Sequence, residues 1–123
     1  MINIDDMQDI LDELAEELPP IFYKELNGGI LLLPEAKLSQ YARADDLYIL
    51  GEYRRSAGMG RYIIIYYGSF IALFGHLSDE KMTRELRKTL RHEFTHHLES
   101  LAGEDCLEKE DDAFMRKYLN SHK

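Results

Sequence analysis

Cysteine is almost missing from this chain: Cys106 stands alone among 123 residues. No internal disulfide framework can form, and a reducing compartment fits. Long hydrophobic runs are missing too. The longest, Tyr62 to Phe74, is interrupted by Gly68 and Ser69 and falls short of the ~20 residues a membrane span needs. The opening Met1-Ile2-Asn3-Ile4-Asp5-Asp6 carries acids where a secretory leader would carry positive charge, so a cytoplasmic protein with no membrane partner is expected. Basic residues are in deficit, 15 Lys and Arg against 23 Asp and Glu, for a formal charge of −8. That balance argues against nucleic acid and anionic lipid as partners, since both attract basic surfaces. Repeats, low-complexity tracts and linkers are absent as well, so residues 1–123 read as a single domain. With 45% hydrophobic residues the chain can bury a core without staples.

What is present alternates helix and strand signals. Met7, Ile10, Leu11, Leu14 and Leu18 recur at three- and four-residue steps, predicting an amphipathic helix over Ile4 to Leu18 that Pro19-Pro20 stops. A short helical turn is expected over Ile21 to Leu26. Ile30 to Leu33, Asp46 to Tyr53, and the β-branched and aromatic Arg61 to Tyr67 read as strands. Residues 35–46 read as loop, and Arg54 to Gly60 as a flexible connection. Ser69 to Phe74 fits either a strand or a short helix. Ser78 is a good N-cap for a long helix reaching Leu101, with Gly103 placed to end it in a left-handed turn. A terminal helix is expected over Glu108 to Leu119, anchored by Ala113, Phe114 and Leu119. The fold class expected is α+β: a small mixed sheet packed against the long helix, with helices at both ends.

The long helix contains His92-Glu93-Phe94-Thr95-His96, an HExxH motif. Two imidazoles four residues apart share one helical face, and both can reach a Zn²⁺ at about 2.0–2.1 Å. Glu93 lies about 100° round the helix, able to address a water without ligating the ion. Met82, Leu86, Leu90, Phe94, Leu98 and Leu101 form one apolar stripe. His92 falls about 160–180° and His96 about 120–140° from its centre, facing a cleft rather than the core. A zinc hydrolase needs three protein ligands, an open position and a base. His92 and His96 supply two ligands, and Glu93 is the candidate catalytic base for a Zn-activated water. For the third ligand Asp105 ranks first, brought back by a reversal at Gly103. Cys106 and Glu99 follow, Glu99 because it shares the histidine face; Glu104 and Glu108 stand behind them. The strand Arg61 to Tyr67 could present an edge for an extended peptide, or have both neighbours filled.

These residues resemble the small bacterial zincin-like metallopeptidases, over most of the chain. The resemblance runs from Leu50-Gly51-Glu52-Tyr53 through Ile64-Ile65-Tyr66-Tyr67-Gly68 to the motif and its doubled histidine, His96-His97. It implies a zincin-like fold, a bound zinc and peptidase activity on a peptide or protein. One departure stands out. Where the family often carries glycine three residues after the second motif histidine, and an acidic ligand three further on, this chain has Glu99; its comparable glycine is Gly103, followed by Asp105 and Cys106. Met115 lies in the right direction for a methionine turn but lacks the surrounding pattern.

Plainer readings stand beside these. His97 falls inside the apolar stripe and reads as a core histidine. His76 and His122 read as surface, and Tyr53, Tyr62, Tyr66 and Tyr67 as sheet packing. Arg84, Arg87, Lys88 and Arg91 read as a solvated face balanced by Glu80 and Glu85. Two rivals to a peptidase follow. One is a zinc-binding regulatory module without turnover; the other is a metal-dependent ribonuclease, which Glu93 and the acidic surface count against.

Overall fold

The structure, a computed structural model, describes residues 2–40 and 47–121. Helix α1 spans Ile4–Glu16 and starts from a capping box: Asn3 Oδ1 accepts the Asp6 amide at 2.8 Å, and the Asp6 carboxylate accepts the Asn3 amide. The two prolines end it, and Pro20 opens a 3₁₀ turn, Pro20–Tyr23, that buries Phe22 completely. Strand β1 (Gly29–Leu33) follows, then two-residue strands β2 (Lys37–Leu38) and β3 (Tyr48–Ile49), which pair antiparallel. Next come β4 (Gly51–Ser56), β5 (Gly60–Tyr66), α2 (Tyr67–Phe74), α3 (Asp79–Gly103) and α4 (Lys109–Ser121). The main sheet has the order β1-β5-β4, with β1 parallel and β4 antiparallel to β5.

The α+β class holds, and several local expectations change. The strand expected over Asp46 to Tyr53 is split at Leu50: Tyr48 and Ile49 pair with β2, whereas residues from Gly51 pair with β5. Leu50 still accepts the Tyr66 amide at 3.0 Å, so the sheet absorbs the break without orphaning that donor. Of the stretch 35–46 read as loop, Lys37–Leu38 is strand and residues 41–46 lie outside the described residues. Arg54 to Gly60 is no flexible connection, since β4 runs on to Ser56. The hairpin closes at Gly60, whose φ of +70° suits glycine. Strand β5 is interior, with β1 on one side and β4 on the other, so it offers no free edge; β4 lies at the edge of this sheet. The ambiguous stretch after β5 is helix α2.

Ser78 caps α3 as expected, its Oγ accepting the Lys81 amide. Gly103 is the last residue of α3, and the left-handed turn falls at Asp105 (φ 55°) instead. In α4 the buried anchor is Met115, fully enclosed, while Ala113 and Phe114 are exposed. Burial of Met115 inside a helix leaves it no part in a methionine turn. The core joins Met7 and Leu11 of α1, Phe22, Ile63 and Ile65 of β5, and the apolar stripe of α3. Each such buried side chain contributes roughly 1.5–3 kcal/mol. Among the described residues, no helix is long and apolar enough to cross a membrane.

Candidate metal centre and groove

All six stripe residues of α3 are buried, which fixes the helix rotation and turns His92 and His96 outward. The two rings stand nearly perpendicular (84°) with centroids 4.7 Å apart, and their Nε2 atoms approach to 3.2 Å. Two nitrogens each about 2.05 Å from a common ion and 3.2 Å from each other subtend an angle of about 100°, close to tetrahedral. The pair therefore fits zinc. His96 Nδ1 lies 3.2 Å from Glu99 Oε1, which sets the carboxylate at the Nδ1 edge of the ring and not at Nε2. Glu99 holds the ring from behind in this arrangement instead of joining His92 Nε2 and His96 Nε2.

Glu93 lies on the inner side of the same turn, 5% exposed. Burial raises its carboxyl above the usual range; Glu52 pushes the same way, while His96 opposes. Its seat depends on Gly51 at the start of β4. A Cβ there would stand 3.1 Å from Thr89 Cγ2 and 3.3 Å from Glu93 Cγ, so only glycine lets strand and helix approach this closely without displacement.

Asp105 and Cys106 both follow the C-terminus of α3: Asp105 is exposed, and the Cys106 thiol turns towards the Glu104 carbonyl at 3.7 Å. Among the described residues, no group of three or more His, Cys, Asp or Glu side chains is arranged to hold a metal.

His97 is the core histidine that the stripe implied, with no exposure. Its Nε2 donates to the Lys24 carbonyl (2.8 Å), which leaves Nδ1 to accept from Tyr53 Oη (2.7 Å). Burial lowers its pKa, and the Lys24 hydrogen bond only partly offsets this. His76 is exposed in the turn after α2; His122 lies outside the described residues. At the far end of α3, buried Arg61 of β5 donates to Ser100 Oγ (3.0 Å) and to Glu104 (2.8 Å), and Arg55 pairs with Glu104 as well. These contacts clamp the helix to the sheet.

A groove of about 1090 Å³ runs along α3 up to His92 and Glu93, walled opposite by Tyr48, Ile49 and Leu50. Arg84 and Lys88 are exposed, as the reading of a solvated face has them, but Arg87 and Arg91 depart from it. Arg87 pairs bidentately with Glu17 of α1 (3.0 and 2.9 Å). Arg91 is mostly buried beneath the Tyr118 ring (5.1 Å to its centroid), and its Nη1 has no hydrogen-bond partner among the described residues. Thr89 and the close packing at Gly51 escape the sequence reading, which takes Arg91 for a solvated cation. The available signal was angular: Glu93 and Thr89 sit at the margin of the apolar stripe, where a polar residue is forced inward.

No protein-family model matches the chain, and no curated protein matches it. A solved structure does: a conserved hypothetical protein from Thermus thermophilus, 35% identical, with a TM-score of 0.70 over 83% of this chain and 99% of that one. Identity and coverage of that order place this chain in the same family as the conserved hypothetical protein from Thermus thermophilus.

Proposed function

We propose that this protein is a zinc-dependent peptidase of zincin-like character, acting in the cytoplasm on a peptide or protein. The observation that carries the reading is the 3.2 Å approach of His92 Nε2 and His96 Nε2 with buried Glu93 on the same turn. His92 and His96 would hold the metal, and Glu99 would keep the His96 ring aimed at it. Zinc bound there supplies Lewis acidity, polarising a peptide carbonyl and making water a better nucleophile near neutral pH. Glu93 Oε takes the proton that water loses and delivers it to the departing amine nitrogen. A carboxyl raised by burial is suited to both transfers. The edge strand β4 begins beside Glu93, and its unpaired main-chain groups suit an extended peptide added as a further strand.

A second reading, a zinc-binding regulatory module without turnover, draws on one observation: no third ligand joins the two histidines among the described residues. A peptide library incubated with zinc-loaded protein separates the two. Peptidase activity requires at least one cleaved sequence, with cleavage lost in Glu93→Gln while zinc is retained. Zinc uptake with every peptide left intact favours the module.

A further inference from the structure

The groove beside Glu93 is cationic on a chain whose formal charge is −8. Arg84 and Lys88 stand one helical turn apart on α3, and His92 follows one turn later on the same ridge. All three line the groove, and neither Arg84 nor Lys88 has an ion pair among the described residues. Beneath them Arg91 carries the buried Nη1 that lacks an acceptor among the described residues. Glu85 and Glu93 are the acids in the lining, and Glu93 is 5% exposed. The opposite wall, Tyr48, Ile49 and Leu50, is largely apolar.

We propose that this groove selects acidic peptide segments, seating Asp or Glu side chains on Arg84 and Lys88 while apolar neighbours lie against Ile49 and Leu50. The inference rests on the peptide reading of the site and names its substrate class. Two unpaired cations leading to a base, with a hydrophobic wall facing them, match a polyanion that also carries apolar side chains. A volume of about 1090 Å³ admits several residues of such a chain. Carboxylates placed on partly exposed cations give a modest preference that salt weakens.

Binding tests this separately from cleavage. Rhodamine-labelled decapeptides alternating Glu and Ala, Gln and Ala, or Lys and Ala are titrated by anisotropy into full-length Glu93→Gln protein, with and without zinc. The Glu peptide is expected to bind about ten-fold tighter than the Gln peptide at low salt and tighter still than the Lys peptide. That advantage should shrink at high salt and vanish in Arg84→Ala/Lys88→Ala, whose exposed substitutions leave the melting temperature unchanged. Equal binding of all three peptides, binding of none, or an advantage that survives the double variant overturns the proposal. Displacement by an RNA decamer at the same concentration overturns it too, since the groove would then be a nucleic-acid site. Selective binding of a Glu peptide that wild-type protein leaves uncleaved supports the groove and counts against hydrolysis alone.

Discussion

Glu93 carries an energetic cost that its proposed role as a base accounts for. A buried carboxyl with a raised pKa destabilises the fold once it ionises, and a neutral amide of the same shape removes that cost. The stability deficit is absent below about pH 4.5, where folded and unfolded chains are both protonated, and grows as pH rises. Metal-free Glu93→Gln is therefore expected to be more stable at pH 8 by on the order of 1 kcal/mol, roughly 3–6 °C in melting temperature. Calorimetry in chelator checks this, and equal melting of the two proteins at pH 8 would contradict it. Glu99 gives a second residue-scale expectation. Its carboxylate stands 3.2 Å from His96 Nδ1, so Glu99→Ala should weaken zinc binding about 10-fold without abolishing it. Loss as complete as that of His92→Ala would make Glu99 a ligand instead. The motif residues were legible because their chemistry lies in spacing along one helix. The third ligand was not, since it depends on how the chain turns after Gly103, and no periodicity governs that turn.

At the scale of elements, the site depends on how α3 and β4 touch. Two devices set that contact: the missing side chain at Gly51 and the Tyr53–His97 hydrogen bond. Gly51→Ala puts a methyl 3.1 Å from both Thr89 Cγ2 and the Ile64 carbonyl. Helix and strand must part by a few tenths of an ångström, and Glu93 moves with them. Activity on any cleaved peptide should fall by about ten-fold or more, as small misplacements of a catalytic group do, while zinc binding persists. Wild-type turnover in Gly51→Ala would show that the close approach is unimportant. Tyr53→Phe leaves His97 Nδ1 buried without a donor and should cost about 1–3 kcal/mol in urea unfolding, again sparing zinc. Sequence periodicity exposed the α3 stripe, the N-cap at Ser78 and the best strand, because each is a local pattern. It missed the break at Leu50 and the course of β4 to Ser56. Both are decided by pairing with β2 and β5, partners distant in the chain.

Over the whole molecule, acid should unfold the chain in two stages. Burial holds His97 below the usual histidine range, so the unfolded chain takes up that proton first and stability falls as pH drops below about 6.5. Burial alone would raise Glu52, but hydrogen bonds from Lys37, Tyr66 and Arg54 outweigh it and hold the carboxyl low. Its contribution is present above about pH 4.5 and lost as pH falls through the lower folded value. Glu93 acts oppositely between those stages, so the first loss should be steeper in Glu93→Gln than in wild type; parallel curves between pH 7 and 5 would contradict this assignment. The cationic groove on an acidic chain was hidden from composition, which averages charge over the surface. Competition with a chromogenic chelator, titrating zinc into wild type, His92→Ala, His96→Ala and Glu93→Gln, tests the metal centre most directly. The expected result is about one zinc per chain in wild type and Glu93→Gln, and binding lost or sharply weakened in either histidine variant. No uptake at micromolar free zinc, or equal uptake by all four proteins, would contradict a metal held between His92 and His96.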